Sequence, residues 1–304
     1  MQIHVGIPRA LLYHEYGTLW TEFFRNIGVQ ATVSDETNKN MLDRGTSLAI
    51  DESCLPLKVY LGHVDSLLDK CTHIFVPRIA QYNRNFYLCA KFAGLPDIVR
   101  NTFGLSTKQL IAPNIESTSP DNSVKCAYST CKALGKSPLV GHFAYKNALK
   151  EWKSGFFNIS NESKNPKIAL IGHSYLLQDD FFSREIIGTL NAQGVAVITS
   201  NQVASKVLYS EAKVFEPDIY WQLSAKIAGA ANYFCRQPDI AGIVIVSSFC
   251  CGPDSLVNEY IQHHVLQKNN KPYIILNVDE HSGSAGLITR IEAFWDLVAR
   301  RTKA

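Results

Sequence analysis

The sequence predicts an α/β protein made of two doubly wound, Rossmann-like parallel-sheet domains, residues 1–155 and 166–304. Three observations lead there. Short β-branched runs alternate with amphipathic segments at the spacing of βαβ units. The chain has 304 residues, 46% of them hydrophobic and 19% charged, which is enough apolar material for two ordinary cores. The order strand, turn, helix, Gly-Val pair, strand occurs twice, in IHVGIP…FFRNIGVQATVSD and in IALIGHSY…LNAQGVAVITSN.

In chain order, QIHVGI reads as a strand, ALLYHEYGTLWTEFFRNIG as a helix and VQATVSD as the next strand. The glycine of each Gly-Val pair fits a left-handed position just past a helix end. The segment CLPLKVYLGHVDSLL reads as a helix leading to the strand THIFVPRI. A polar middle, ESTSPDNSVK, precedes a helical stretch running through Trp152. SGFFNISNESKNP is rich in Ser, Asn and Gly and reads as a linker. The second cycle runs from strand KIALIGHSY through helix FFSREIIGTLNAQG, strand VAVITS, helix DIYWQLSAKIAGAANYFCR, strand IAGIVIVSS, helix DSLVNEYIQHHVLQK and strand PYIILNVD. It closes with the amphipathic helix LITRIEAFWDLVAR. Any two βαβ units share this order, so common ancestry of the halves stays open. Ligands of open α/β sheets bind beyond the carboxyl ends of the strands, so the expected site is a cleft there, between the two domains.

Composition narrows the function classes. No window approaches the roughly 18 unbroken apolar residues of a membrane helix, and the N-terminus lacks a basic stretch followed by a signal core. A cytoplasmic protein with no membrane partner is the expectation. The formal charge of +3 is spread without basic blocks, so nucleic acid is not an expected partner. Eight cysteines are too dilute for a disulfide scaffold and call for another explanation.

Their positions are informative. Cys54, in AIDESCLPLKVYLGH, follows what reads as an apolar strand end and an acidic turn, with Pro56 near the start of a helix. Cys251, in VIVSSFCCGPDSLVNEY, follows strand IVIVSS and precedes Gly252, Pro253 and a helix beginning near Asp254. Pro in the first turn and Asp or Ser as a cap suit real helix starts. The partial positive charge and free N–H groups of a helix start favour thiolate or cluster-bound sulfur. Cys89, in NRNFYLCAKFAGLPDIVR, also lies after a strand, with Gly and Pro following. A small apolar residue packing at a strand end is the competing reading for each. No CxxC pair supports a zinc ribbon, whereas iron-sulfur ligands need not be close in sequence. Cys71 and Cys235 read as packing residues. Cys126 and Cys131, five apart on one helix, and Cys250, beside Cys251, are either packing residues or extra ligands.

Among polar candidates, Asp279, Glu280 and His281 follow the last strand, where Glu280 and His281 are placed to transfer protons, or else belong to a hydrogen-bonded loop. Gly283 and Gly286 are expected to let that loop approach closely. His173 ends the first strand of the second domain, as a satisfied edge histidine or a catalytic one. His63 reads as packing or surface. The turn Gly6-Ile7-Pro8-Arg9 lacks the GxGxxG pattern of a dinucleotide site.

Taken with VGIPRALLYHEYGTLWTEFFRNIGVQATVSDET, SCLPLKVYLGHV, the Cys89 loop and KIALIGHSY, the combination of SFCCGPDS with DEHSGSAGLITRIEAF resembles the 2-hydroxyacyl-CoA dehydratase superfamily, specifically its activase-related DUF2229 group. The resemblance covers most of the chain. It implies an oxygen-sensitive iron-sulfur protein that takes a low-potential electron from an ATP-dependent activase of actin-like or sugar-kinase-like fold and passes it to a small-molecule substrate. Reductive or dehydratase-type chemistry is one implied role, and a non-catalytic accessory or electron-transfer protein is the alternative. It implies Cys54, Cys89 and Cys251 as cluster ligands. The cluster is then a [4Fe-4S] cubane, or an [8Fe-9S] double cubane with about six cysteine ligands that would add Cys126, Cys131 and Cys250. This chain has Cys250 where the group usually carries a small residue. A homodimer is compatible with this reading.

Overall fold

The computed structural model describes residues 2–79, 81–83, 86–115, 124–154 and 166–303. The chain divides into two compact units, Met1–Asn158 and Ile159–Ala304. Residues 155–165 of the expected linker and 116–123 of the polar middle lie outside the described residues.

The first unit contains β1 (His4–Ile7), α1 (Tyr13–Asn26), β2 (Gln30–Val33), α2 (Lys39–Leu48), α3 (Leu55–Leu68), β3 (His73–Phe75), β4 (Arg78–Ile79), β5 (Gln81–Asn83), β6 (Phe86–Tyr87), α4 (Ala90–Phe103), β7 (Leu110–Ile111), β8 (Asn114–Ile115), α5 (Val124–Ala133) and α6 (Pro138–Ser154). Its main sheet has the order β2-β1-β3-β7, all parallel. Two small ribbons add the parallel pair β4-β8 and the antiparallel pair β5-β6. Helix α1 packs on α6 through Tyr16 and Trp152, whose rings stack at 5.7 Å while the Trp152 indole N–H donates to the Glu15 carbonyl.

The second unit contains β9 (Lys167–Gly172), α7 (Ser174–Leu177), α8 (Asp180–Ala192), β10 (Ala196–Thr199), α9 (Ser205–Glu211), α10 (Gln222–Cys235), β11 (Ile240–Ser248), α11 (Gly252–Ile261), β12 (Tyr273–Val278) and α12 (Ser284–Lys303). Its sheet order, β10-β9-β11-β12, repeats that of the first unit, again all parallel. Strands β9 and β11 are buried almost throughout, as expected for parallel strands covered on both faces. Helix α11 runs on into a π-helical turn at Gln262–Leu266. No helix among the described residues is long and apolar enough to cross a membrane.

The doubly wound α/β class read from the sequence is what the chain adopts. Both Gly-Val glycines take the expected conformation, Gly28 at φ +63° and Gly194 at φ +77°. Two local expectations, on the run before Cys54 and on Gly283 and Gly286, are corrected. The run TSLAI before Cys54 is the end of helix α2, so Cys54 occupies a helix-to-helix turn. The Gly94 and Pro96 that follow Cys89 lie inside α4. Pro96 has no N–H to give the helix and its ring crowds the preceding turn; the Arg78 guanidinium donates to the Ala93 carbonyl there and pairs with Asp97 at 2.7 Å. Gly283 and Gly286 have open space around them, and Gly286 belongs to the first turn of α12, so neither serves a close approach.

Candidate metal centre

In the second unit, β9, β11 and β12 finish side by side: Val246 pairs with Gly172 and Ser248 with Val278. The residues that follow each strand therefore gather at one sheet edge. His173 follows β9 directly and begins α7, its ring stacked on Tyr175 at 4.8 Å. Cys251 is the N-cap of α11, reached through Cys250 at φ +59°, and Pro253 presets the first helical turn. Asp254, in that same turn, is 2% exposed.

These three side chains converge. His173 Nε2 lies 2.7 Å from Asp254 Oδ1, and the Ser224 hydroxyl donates to that same oxygen at 3.4 Å. The second oxygen, Asp254 Oδ2, is buried and has no hydrogen-bond partner among the described residues. One ring nitrogen of His173, Cys251 Sγ and one Asp254 oxygen all lie within 4.8 Å of one another. A buried carboxylate oxygen without a donor is costly unless a cation or proton meets it. Thiolate, imidazole and carboxylate together form a donor set for a first-row transition metal.

The other predicted site residues fall into distinct environments. Cys54 and Cys89, both half-buried, are the N-caps of α3 and α4. Thus all three cysteines singled out as ligands begin helices, and none caps its helix with a side-chain hydrogen bond. Cys126 and Cys131 are buried on α5; burial pushes the Cys126 thiol up to about 12 and raises that of Cys131. Cys235, at the end of α10, is buried, and its thiol is pushed up to about 11 for the same reason. Cys71 is half-buried before β3, packed against Gly6, with its thiol also raised by burial. Cys250 is exposed. None of the eight cysteines, all among the described residues, is in a disulfide.

Glu280 and His281 leave β12 at the same edge as Cys251, since the Phe249 N–H donates to the Val278 carbonyl at 2.9 Å. Their loop is held by Asp279, whose Oδ1 accepts from the His281 N–H at 2.9 Å and the Ser282 hydroxyl at 2.8 Å. His281 is exposed and Glu280 half-buried.

The first unit carries a second polar cluster. His63 is fully buried, bonded through Nδ1 to Ser34 Oγ at 2.8 Å and through Nε2 to Thr37 Oγ1 at 2.9 Å. Burial, then the nearby His14 and Arg9, lower its pKa to about 4; burial and Arg9 bring His14 to about 4 as well. The Gly6–Arg9 turn is engaged internally: the Arg9 N–H donates to Ser34 Oγ at 2.8 Å and its guanidinium pairs with Glu36 at 3.3 Å. His63 also fixes the height of Cys54. It meets Ser34, the residue after β2, and Cys54 stands nine positions earlier on the same helix, about 13 Å further along its axis.

Sequence reasoning missed Asp254 as a site residue, treating it only as a helix-start signal. Its place three residues after Cys251, on the first turn of the same helix, was the available clue.

Fold and site together define an α/β protein of two parallel-sheet units, with a metal-capable His-Cys-Asp group at one sheet edge. The chain belongs to the family described as CoA enzyme activase uncharacterised domain (DUF2229), whose model matches residues 4–203. That span includes Cys54, Cys89 and His173 and stops before Cys251 and Asp254. No curated protein matches the chain. Among solved structures, a LacI family transcriptional regulator from Arthrobacter sp. FB24, in complex with lactose, aligns over 97% of this chain and 91% of its own at 9% identity, with a TM-score of 0.23.

Proposed function

We propose that the chain is an iron-sulfur protein that accepts low-potential electrons from an ATP-dependent activase and delivers them to a small substrate, with Cys54, Cys89 and Cys251 as its cluster thiolates. The observation that carries this reading is the common placement of those three cysteines as helix N-caps whose side chains are not engaged in capping. Each thiolate there meets the positive end of a helix dipole. The donor set fits such a group: these three thiols are half-buried, whereas Cys126 and Cys235 are buried, and burial raises their thiol pKa values. Membership of a family described by a CoA enzyme activase supports the partner.

When bound, a cluster of this kind supplies one-electron transfer at a potential set by its ligands and their hydrogen bonds. The chain's own residues hold the site and its protons. The loop led by Asp279 keeps Glu280 and His281 at the edge where Cys251 stands, as proton-transfer groups. The buried His173–Asp254 pair fixes the first turn of α11 against β9.

The test is iron and acid-labile sulfide per chain after strictly anaerobic purification or reconstitution. Brown protein with roughly four irons and matching sulfide is expected, and roughly eight would point to the double cubane. Colourless protein without iron, or one zinc bound without sulfide, would overturn the reading.

A further inference from the structure

Helix α6 crosses α5 at Gly141, where a β-carbon would stand 3.1 Å from the Ala127 carbonyl oxygen, and it buries Ala144, Tyr145 and Ala148 on its inner side. The outer side faces water, yet its start is apolar. Leu139 is 72% exposed and Phe143, one turn on, 67%; Val140 and Tyr128 of α5 are exposed as well. The Tyr128 hydroxyl lies 2.9 Å from His142 Nδ1, and the His142 ring meets that of Phe143 edge-on at 5.6 Å, which joins the two helices' parts of the patch. Large apolar side chains gathered and exposed in this way mark contact with a partner or a lipid surface.

Charge says which. Residues 124–154 hold six lysines, no arginine and one carboxylate, Glu151, a formal +5 in a chain whose total is +3, so the rest of the molecule is net negative. No two of these lysines stand closer than three positions apart in sequence, so no basic run announces them. The helix gathers them. Leu139, Phe143, Lys146 and Lys150, spaced four, three and four apart, form one exposed stripe of α6, while Lys132 and Lys136 stand in the last turn of α5 and the loop after it. A second copy of the chain would meet the same positive charge and be repelled. Protein interfaces favour arginine and deplete lysine. Lysines beside exposed Leu and Phe instead suit an anionic bilayer, where apolar side chains enter between headgroups and each ammonium stays at the level of the phosphates.

We propose that the outward face at the start of α6 docks this protein reversibly on an anionic phospholipid surface, with Leu139 and Phe143 inserted and Lys146, Lys150 and the lysines of the preceding turn on the headgroups. The surface belongs to the first unit alone and is independent of the iron-sulfur reading. It revises the expectation of no membrane partner, which rested on the lack of a spanning segment; attachment at a surface needs none.

The test is co-sedimentation of the full chain with vesicles of phosphatidylcholine alone and of phosphatidylcholine mixed with phosphatidylglycerol. The wild type should sediment with the mixed vesicles at low salt, be released as salt is raised, and stay in solution with phosphatidylcholine alone. Lys146→Gln with Lys150→Gln should weaken partitioning roughly 30-fold, because each lysine at an anionic surface contributes about a factor of five. Leu139→Ser with Phe143→Ser should weaken it roughly tenfold or more through lost insertion. All four side chains are exposed, so both variants should keep the wild-type melting temperature, which separates lost docking from misfolding. Wild type that stays in solution with mixed vesicles at low salt would overturn the proposal, and so would equal binding to both kinds of vesicle. Binding unchanged in Leu139→Ser with Phe143→Ser would leave charge attraction alone and overturn it too. A dimer that those two substitutions dissolve would assign the face to a second copy, and salt-sensitive pairing with an acidic protein in place of vesicles would assign it to a protein partner.

Discussion

Gly45 and Gly62 face each other where α2 crosses α3: a β-carbon on Gly45 would stand 1.8 Å from the Lys58 carbonyl oxygen and 2.8 Å from the Gly62 nitrogen. The relation is reciprocal, since a β-carbon on Gly62 would stand 2.0 Å from the Met41 carbonyl oxygen. The two helix backbones touch directly, so these glycines set how closely α2 and α3 approach. Gly45→Ala and Gly62→Ala should each destabilise the first unit by about 2–3 kcal/mol or more, because backbone and not a flexible side chain must move. Denaturant midpoints check this; a midpoint within error of wild type for either variant would refute the packing account.

Acid sensitivity should come from the first unit. His63 and His14 have folded pKa values of about 4, below the ordinary value of 6.5. Between these limits the unfolded chain binds protons that the folded chain refuses, so stability is full above about pH 6.5 and falls as pH drops toward 4. For fully buried His63 the loss is on the order of 3 kcal/mol. His63→Gln, which can still bond Ser34 and Thr37, should flatten the slope of stability against pH across that window. An unchanged slope would show that other groups cause the acid loss.

Cys250 holds a left-handed backbone at φ +59°, a conformation that costs a residue with a β-carbon about 1–2 kcal/mol. Cys250→Gly should keep or raise the melting temperature, and Cys250→Val should lower stability by about 1–2 kcal/mol through crowding of its branched side chain. Thermal melts of the two variants side by side decide the point, and equal melting temperatures would contradict it.

Helix-capping and packed cysteines should separate cleanly in iron content. Cys54→Ala, Cys89→Ala and Cys251→Ala should each lose most of the iron, as each removes one of the three assigned thiolates. Cys71→Ala and Cys235→Ala should keep it and cost only ~1 kcal/mol of stability. Iron lost with Cys71→Ala but retained with Cys89→Ala would reverse the ligand assignment.

Much of this architecture was legible because parallel strands buried on both faces leave long apolar runs, as in β9 and β11, and because Gly28 and Gly194 mark helix ends with their required left-handed φ. Helix α2 was not, since its apolar end reads like a strand. The sign that identifies it is Asn38, whose side chain accepts from the Met41 N–H at 3.0 Å as an N-cap. Pro96 sits inside α4, and the tertiary contact from Arg78, which local pattern cannot supply, meets the Ala93 carbonyl beside it. At the candidate metal centre, the cysteine was legible from its turn. The pairing of His173 with Asp254 spans 81 residues and depends on which strands are neighbours, which local pattern cannot supply.

The shared strand order has a consequence for how the protein is made. In each unit the first strand lies inside the sheet, between the second and third. As the chain leaves the ribosome, β1 can pair with β2 early, yet its other edge stays open until residues 73–75 arrive, several seconds later at the usual pace of synthesis. The same holds for β9, whose second edge waits for β11. Twice during translation, then, an apolar strand edge is exposed to other nascent chains, and the protein's yield in cells should depend on how fast it is synthesised and on chaperones that shield such edges.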